Sequence, residues 1–351
     1  MRYEERAAER AAALRERENF PLLAIESSCD ETSAAVLCGR EVKSLVISSQ
    51  IDIHRRFGGV VPEIASRNHT LAVNSVAEEA LNRAGMGFSD LDAVAVTYGA
   101  GLAGALLVGV SYAKAIAYAL GLPLVKVNHI KGHIAANYLA DPELEPPFLC
   151  LVVSGGHTAI VEVISYTEQR LIGTTVDDAA GEAFDKVARV LGLPYPGGPE
   201  VDRLAKAGRS VTELPRMFKN ERNYNFSYSG LKTAVVNYVH TARQRGEEIS
   251  REDLCASFES AALDILIEKT LRAAREFGYR TVALAGGVSA NSYLREHLCA
   301  RGEALGLKIC MPPLLYCTDN AAMIGVEGYY SLRAGKNLAG LDLNSCPALR
   351  F

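Results

Sequence analysis

The chain of 351 residues is 49% hydrophobic and 22% charged with a formal net charge of −4, the profile of a globular protein long enough for two domains or one large two-lobed one. This balance excludes a global basic field for nucleic acid, so any RNA contact has to come from a local patch or a partner. No stretch approaches the about 20 apolar residues of a membrane span, and eight cysteines without a C-x-x-C pair read as small hydrophobes in a reducing, cytoplasmic setting.

Residues 1–19 alternate Arg, Glu and Ala. They favour helix by propensity and charge pairing but offer almost no apolar stripe, and they lack the apolar core of a signal peptide. They are expected to form a charged extension, mobile or docked on a partner. The fold is expected to start at Phe20. Leu22 to Ile25 reads as a buried strand, Glu26 to Thr32 as a polar turn and Ala34 to Cys38 as a second strand, which makes a hairpin. A basic group, His54, Arg55, Arg56 and Arg67, flanks the turn Gly58-Gly59.

Residues 94–120 run from a buried strand through Gly99, Gly101 and Gly104 into a helix, formally a dinucleotide fingerprint. The acidic residue expected about 20 positions later is missing, since the next carboxylate is Asp141. Close helix–strand packing is the preferred reading of these glycines. Asn128 then caps a helix start on which His129 and His133 stand one turn apart on one face. They are either two partly buried polar residues or two ligands of one cation. A zinc peptidase would need Glu directly after the first His, and Ile130 stands there.

The opening phrase returns at 147–163. PFLCLVVSGGHTAIVEV overlays PLLAIESSCDETSAAVL at one constant offset, Pro21 with Pro147, Leu23 with Leu149, Ser28 with Ser154 and Thr32 with Thr158. The strand–glycine–helix unit of 94–120 recurs at 282–298. The chain therefore reads as an internal duplication, an α/β fold of two lobes with an interlobe cleft as the expected ligand site.

Within the second half, the turn Ser154-Gly155-Gly156 can aim backbone N–H groups at an anion, with Ser and Thr hydroxyls adding donors, or be a plain tight turn. Asp177 or Asp178 can cap the next helix, which carries Glu182 and Asp185 at its edge, suited to ribose hydroxyls or simply solvated. Residues 193–199, LPYPGGP, form a rigid loop open to a ring. Residues 216–232 interleave Arg216, Lys219, Arg222 and Lys232 with Phe218, Tyr224, Phe226 and Tyr228, a composition suited to single-stranded RNA or to an ordinary surface turn and helix. Gly286 to Asn291 opens a helix where free N–H groups suit a phosphate or sugar edge. Thr318 or Asp319 is expected to cap the last long helix, and facing lobes would make Asp319 a third ligand beside the histidines.

ESSCDET (26–32), GGVVPEIASRNH (58–69), NHIKGHIAAN (128–137), VSGGHT (153–158), DDAAGEAFDKVARVLGLPYPGGP (177–199), FSYSGLKTA (226–234), GGVSAN (286–291) and CTDNAAMI (317–324) together resemble the bacterial catalytic subunits of the universal tRNA threonylcarbamoyladenosine synthase family, formerly described as O-sialoglycoprotein endopeptidases. The resemblance covers nearly the whole chain after residue 20. One departure is Ala100, where the family usually has proline.

The resemblance implies two duplicated lobes of the actin-like, sugar kinase and Hsp70 ATPase fold. They are expected at 20–128, with a C-terminal helix at about 325–346 returning to the first lobe, and at 129–324. It implies a metal, Fe2+ or Zn2+, on His129, His133 and Asp319, and acyl-adenylate contacts at Val152, Val153, Ser154, Gly155, Gly156, Asp185, Gly198, Asp202 and Asn291. The implied activity is an acyltransferase that moves threonylcarbamoyl from threonylcarbamoyl-AMP to N6 of the adenosine 3′ of the anticodon (position 37) in tRNAs reading codons that start with A. The implied partners are tRNA, a smaller inactive paralogue and an ATPase, all cytoplasmic, with no membrane. A non-catalytic nucleotide-binding scaffold presenting tRNA, and a sugar kinase of the same fold, are the alternatives.

Overall fold

The computed structural model describes residues 2–219 and 221–350. Chain contacts divide it into two units, one made of the residues up to Pro146 with Ser165–Glu168 and the chain from Thr318 onward, the other of Pro147–Ile164 and Gln169–Cys317. The first unit begins with α1 (Tyr3–Arg15), β1 (Pro21–Glu26), β2 (Glu31–Cys38), β3 (Glu41–Ser49), α2 (Ile51–Arg55), α3 (Pro62–Ala84), β4 (Ala93–Gly99), α4 (Ala103–Leu120), β5 (Leu124–Asn128), α5 (His129–Ala135) and α6 (Asn137–Ala140). β1 is wholly apolar up to its last residue and pairs antiparallel with β2, Leu22 opposite Leu37, and parallel with β4, Leu22 beside Ala93.

Leu23, Ile25, Val36, Val94 and Val96 meet Val73, Val76 and Ala80 of α3 and Val110, Ala113 and Ala117 of α4 in one core. Against the expectation that no stretch is apolar enough, helix α4 passes, by length and composition, as long and apolar enough to cross a membrane. Here it is the crossover between the parallel strands β4 and β5, and its buried face includes Ala105, Leu106 and Val110. That placement accounts for its apolarity without a bilayer.

Helix α1 packs on its own chain, where an extension mobile or docked on a partner was expected. Tyr3, Ala7, Ala11 and Leu14 are buried, and they recur every three or four residues, so they form one face. Tyr3 Oη donates to the Leu122 carbonyl at 3.0 Å and Arg10 to the Leu120 carbonyl at 3.2 Å. Alanines that count as helix formers by propensity serve here as a flat packing face.

The second unit contains β6 (Phe148–Val153), β7 (Thr158–Ser165), β8 (Glu168–Thr174), α7 (Ala180–Val190), α8 (Gly197–Ala205), α9 (Ser229–Arg245), α10 (Arg251–Phe277), β9 (Thr281–Ala285), α11 (Ser292–Glu303), β10 (Lys308–Cys310) and α12 (Leu314–Cys317). Its strand order, β10-β9-β6-β7-β8, repeats the β5-β4-β1-β2-β3 order of the first sheet. The register repeats as well: Phe148 stands opposite Val163 as Leu22 stands opposite Leu37, and β6 runs parallel to β9 as β1 does to β4. The duplication is therefore real at the level of hydrogen-bonded pairs. Leu149, Leu151, Phe184, Phe258 and Leu263 anchor this unit's core.

The chain then returns to the first unit with α13 (Ala321–Arg333) and β11 (Leu338–Ala339). Two boundaries move from their expected places. The first unit keeps residues 129–146 and regains the chain at Thr318, because α5 follows β5 without a break and lies against α13, where a Cβ on Gly132 would come within 2.7 Å of Ile324 Cδ1. The last helix ends at Arg333 rather than near 346. Gly335 takes a left-handed φ of 65°, and β11 then pairs antiparallel with β5. On α13, Glu327 is buried; its Oε1 accepts from Ser331 Oγ at 3.3 Å, while Oε2 has no hydrogen-bond partner among the described residues.

Candidate metal centre and glycine-rich turns

Asn128 closes β5 and caps α5, its Oδ1 accepting from the N–H groups of Ile130 (2.8 Å) and Lys131 (3.4 Å). The cap fixes the helix start so that the rings of His129 and His133 stand 4.6 Å apart, edge to face. Asp319 comes from the segment before α13. Neither it nor Thr318 is the cap: Asn320 accepts from Met323 N at 3.0 Å, which leaves the Asp319 carboxylate free. Its Oδ1 lies 3.1 Å from His133 Nε2 and 3.4 Å from His129 Nε2, and all three ligand atoms fall within 4.8 Å of one another. The three residues belong to the first unit, so Asp319 does not arrive from an opposing lobe as expected.

Behind them sits Glu26, the last residue of β1 and fully buried. Its Oε2 is 3.1 Å from His129 Nδ1, which is also 3.1 Å from Ser28 Oγ. Thr97 Oγ1 donates to Oε2 at 2.6 Å and Ser28 N to Oε1 at 2.5 Å. With its Nδ1 proton directed to Glu26, His129 turns Nε2 toward Asp319, so that loss of the Nε2 proton leaves the tautomer a metal-binding histidine needs. The ESSCDET motif contains Glu26 but does not by itself assign it a role; the signal for one is an acid that closes a wholly apolar strand.

Burial opposes every charge in this cluster, yet the carboxylates win for His129, whose pKa is pushed well above the usual value by Asp319 and Glu26. Against the same burial, His129 and His133 hold Asp319 well below the usual carboxylate range. His133 shifts the other way, lowered by burial and by its neighbour His129. The cluster thus favours one positive charge between two carboxylates, beside a neutral imidazole. Both ring nitrogens of His133 are buried without a hydrogen bond of good geometry among the described residues, and Nε2 faces Asp319 Oδ1 at 3.1 Å. Two imidazole nitrogens and a carboxylate oxygen arranged in this way fit a divalent cation.

The other expected contacts lie in the second unit. Val152 and Val153 end β6, and Ser154-Gly155-Gly156 turns the chain into β7, closed by Ser154 N on the His157 carbonyl (2.7 Å) and by His157 N on Ser154 Oγ (3.1 Å). Around Gly155 and Gly156 the space that a Cβ would take is open. The Thr158 hydroxyl accepts from Ala180 N at 2.8 Å and so serves the start of α7. Ala179 is the N-cap residue of α7, not Asp177 or Asp178. Asp177 instead binds Ser227 Oγ, Tyr228 N and Ser229 Oγ, and Asp178 pairs with Lys186 and Lys232.

Asp185 accepts from Gly197 N at 2.7 Å, which sets the start of α8 beside Gly198, where the space for a Cβ is open. Asp202 Oδ1 accepts from Ser292 N (3.1 Å) and Ser292 Oγ (2.5 Å), next in sequence to Asn291. Asn291 caps α11 through Oδ1, at 2.9 Å from Leu294 N. The structure thereby joins Asp202 to the Asn291 turn, and that turn to the end of β6, since a Cβ on Gly286 would strike the Val153 carbonyl.

The basic and aromatic stretch at 216–232 is largely committed to the fold. Phe226 and Tyr228 are buried, the Tyr224 ring lies under the Arg272 guanidinium at 4.7 Å, and Arg216 pairs with Asp264 at 2.9 Å. These rings do not form an open stacking platform for bases.

Residues 41–326 match the family described as TsaD: tRNA N6-adenosine threonylcarbamoyltransferase. A relative from Moorella thermoacetica (strain ATCC 39073 / JCM 9320) of that name is 56% identical over 330 residues, covering 93% of this chain and 96% of its own. Among solved structures, HypF of T. kodakarensis aligns with a TM-score of 0.61 at 14% identity over 90% of this chain and 48% of its own. The ROK hexokinase of Thermus thermophilus aligns with a TM-score of 0.52 at 14% identity, over 90% of this chain and 100% of its own. At such identities these two bear on the fold alone, and they agree with a duplicated sugar-kinase and actin-like architecture. With a family match over most of its length and a close relative covered almost end to end, the chain belongs to the tRNA N6-adenosine threonylcarbamoyltransferase family.

Proposed function

We propose that the protein transfers the threonylcarbamoyl group from threonylcarbamoyl-AMP to N6 of adenosine 37, 3′ of the anticodon, in tRNAs reading codons that start with A, and releases AMP. Family membership together with the convergence of His129, His133 and Asp319 carries this reading. The N6–carbonyl bond forms as the mixed-anhydride C–O bond breaks; AMP leaves with the electron pair and the amine gives up a proton to solvent.

His129, His133 and Asp319 would hold a divalent ion, Fe2+ or Zn2+. Such an ion supplies Lewis-acid polarisation of an acyl oxygen. Glu26 keeps the His129 tautomer. In the second unit, the turn Val152 to Gly156 would offer backbone donors to the phosphate, Asp185 and Gly198 would flank the nucleoside, and Asp202 with Asn291 would bind ribose hydroxyls. Orienting the two reactants is itself a large part of catalysis for so weak a nucleophile as an exocyclic amine.

The net charge of −4 and the ion-paired state of Arg216 and Lys232 support reliance on partners to hold tRNA, a smaller inactive paralogue and an ATPase, in the cytoplasm. The test is nucleoside mass spectrometry of tRNA incubated with the protein, its partners and threonylcarbamoyl-AMP. Threonylcarbamoyladenosine should form with the wild type and be absent with His133→Ala. Unmodified adenosine with the wild type, or full product with the variant, would overturn the reading.

A further inference from the structure

Helix α10 carries a carboxyl group that the fold does not need. Glu259 is 3% exposed and stands among the buried residues Phe258, Ser260, Ala261 and Ala262. A side chain of similar size without charge would fill the space at no desolvation cost. Its contacts explain its presence. Asn291 Nδ2 donates to Glu259 Oε1 at 2.5 Å, while Asn291 Oδ1 is already occupied by Leu294 N. The cap of α11 therefore stands without Glu259.

What Glu259 adds is a second anchor, since Leu294 N–H holds the Oδ1 end of the amide and Glu259 holds the Nδ2 end. An amide oxygen turned toward a carboxylate would be repelled, so Nδ2 must face Glu259. One N–H and one Oδ1 lone pair are then left to project elsewhere. Burial, then the charge of Asp202, raises the Glu259 carboxyl to about 7, with the Asn291 hydrogen bond and Lys206 opposing. Asp202 is itself fixed by Ser292 at Oδ1 and by Lys206 at Oδ2, 3.1 Å away. Glu259 thus hydrogen-bonds Asn291 and feels the charge of Asp202, the two side chains that the proposed function assigns to ribose.

We propose that Glu259 is a positioning residue for ribose recognition: it fixes the Asn291 amide next to Asp202, so that an acceptor and a donor face the vicinal 2′- and 3′-hydroxyls of the bound nucleotide. This rests on the reading of Asp202 and Asn291 as ribose contacts. Each hydroxyl of a vicinal diol can donate and accept, so such a mixed pair engages both, and a nucleotide lacking both hydroxyls gains nothing from it. The side chain acts through its neighbours and stays out of contact with the ligand.

The experiment is isothermal titration of the full-length protein with AMP and with 2′,3′-dideoxy-AMP. Wild type should prefer AMP, and Asp202→Ala should abolish that preference. Glu259→Gln keeps an acceptor for Asn291 and a donor toward Asp202, and should retain the wild-type ratio. Glu259→Leu should bind AMP about 10-fold more weakly, the scale of one hydrogen bond, with unchanged affinity for the dideoxy nucleotide. If the Leu variant fails to fold, Glu259→Met takes the same measurement with an unbranched side chain. An unchanged ratio in a folded Leu or Met variant overturns the role of Glu259 while the ribose site stands. An absent preference in the wild type, or one unaffected by Asp202→Ala, overturns the site reading and this inference with it.

Discussion

His129 Nδ1 lies 3.1 Å from Glu26 Oε2, so the ring that faces Asp319 with one nitrogen is anchored by the other to a fully buried carboxylate. The carboxylate orients the imidazole and makes its Nε2 a stronger ligand. Glu26→Gln should therefore weaken binding of Zn2+ or Co2+ about 10- to 100-fold, read by metal titration with no substrate present. Affinity within a factor of two of wild type would show that Glu26 does not tune the centre.

Leu14 is 3% exposed on the inner face of α1. Leu14→Ala should cost about 2 kcal/mol, at the low end for a buried leucine because a terminal helix can relax. The loss should be local. Faster hydrogen exchange confined to Tyr3–Arg15, with β1 and β4 unchanged, is the expected pattern; no change in α1 protection would mean that the helix is not held by this face.

On α13, a Cβ at position 328 would stand 2.6 Å from Ala95 Cβ on β4. Both atoms are fixed by their backbones, so neither can swing away. Gly328→Ala gains about 1 kcal/mol of helix propensity, but the overpacking costs about 1–3 kcal/mol. A lower denaturation midpoint in urea is the expected outcome, and a raised one would show that helix and sheet can part at no cost.

These positions mark how far the chain could be read before its fold was known. The hairpins were legible because Pro21 and Pro147, or Leu23 and Leu149, repeat one burial pattern along one stretch, and the Asn128 cap was legible because its partners are two and three residues away. In Thr318-Asp319-Asn320 all three residue types can cap a helix, and only tertiary packing decides that Asn320 does so. The roles of Glu26 and Glu259 are not legible along the chain because their partners are 103 and 32 residues distant. The face of α1 is illegible for a different reason, since alanine carries too little apolar signal to mark a stripe.

Glu327 provides a pH test independent of the candidate site. Burial raises its carboxyl from the ordinary 4.5 to about 7, with Lys131 and Ser331 opposing. The folded state thus binds a proton that the unfolded state has lost between about pH 4.5 and 7. Below this window the group is neutral in both states and contributes no pH dependence; across it stability falls as pH rises, and above it the full cost of a buried charge remains. A shift of this size corresponds to about 3 kcal/mol. Glu327→Gln removes the titrating group while keeping an acceptor for Ser331 Oγ. Relative to wild type, the variant should therefore gain about 3 kcal/mol between pH 4.5 and pH 8 in urea denaturation. A stability difference between variant and wild type that stays constant across these pH values would show that Glu327 ionises in the folded protein as readily as in the unfolded chain.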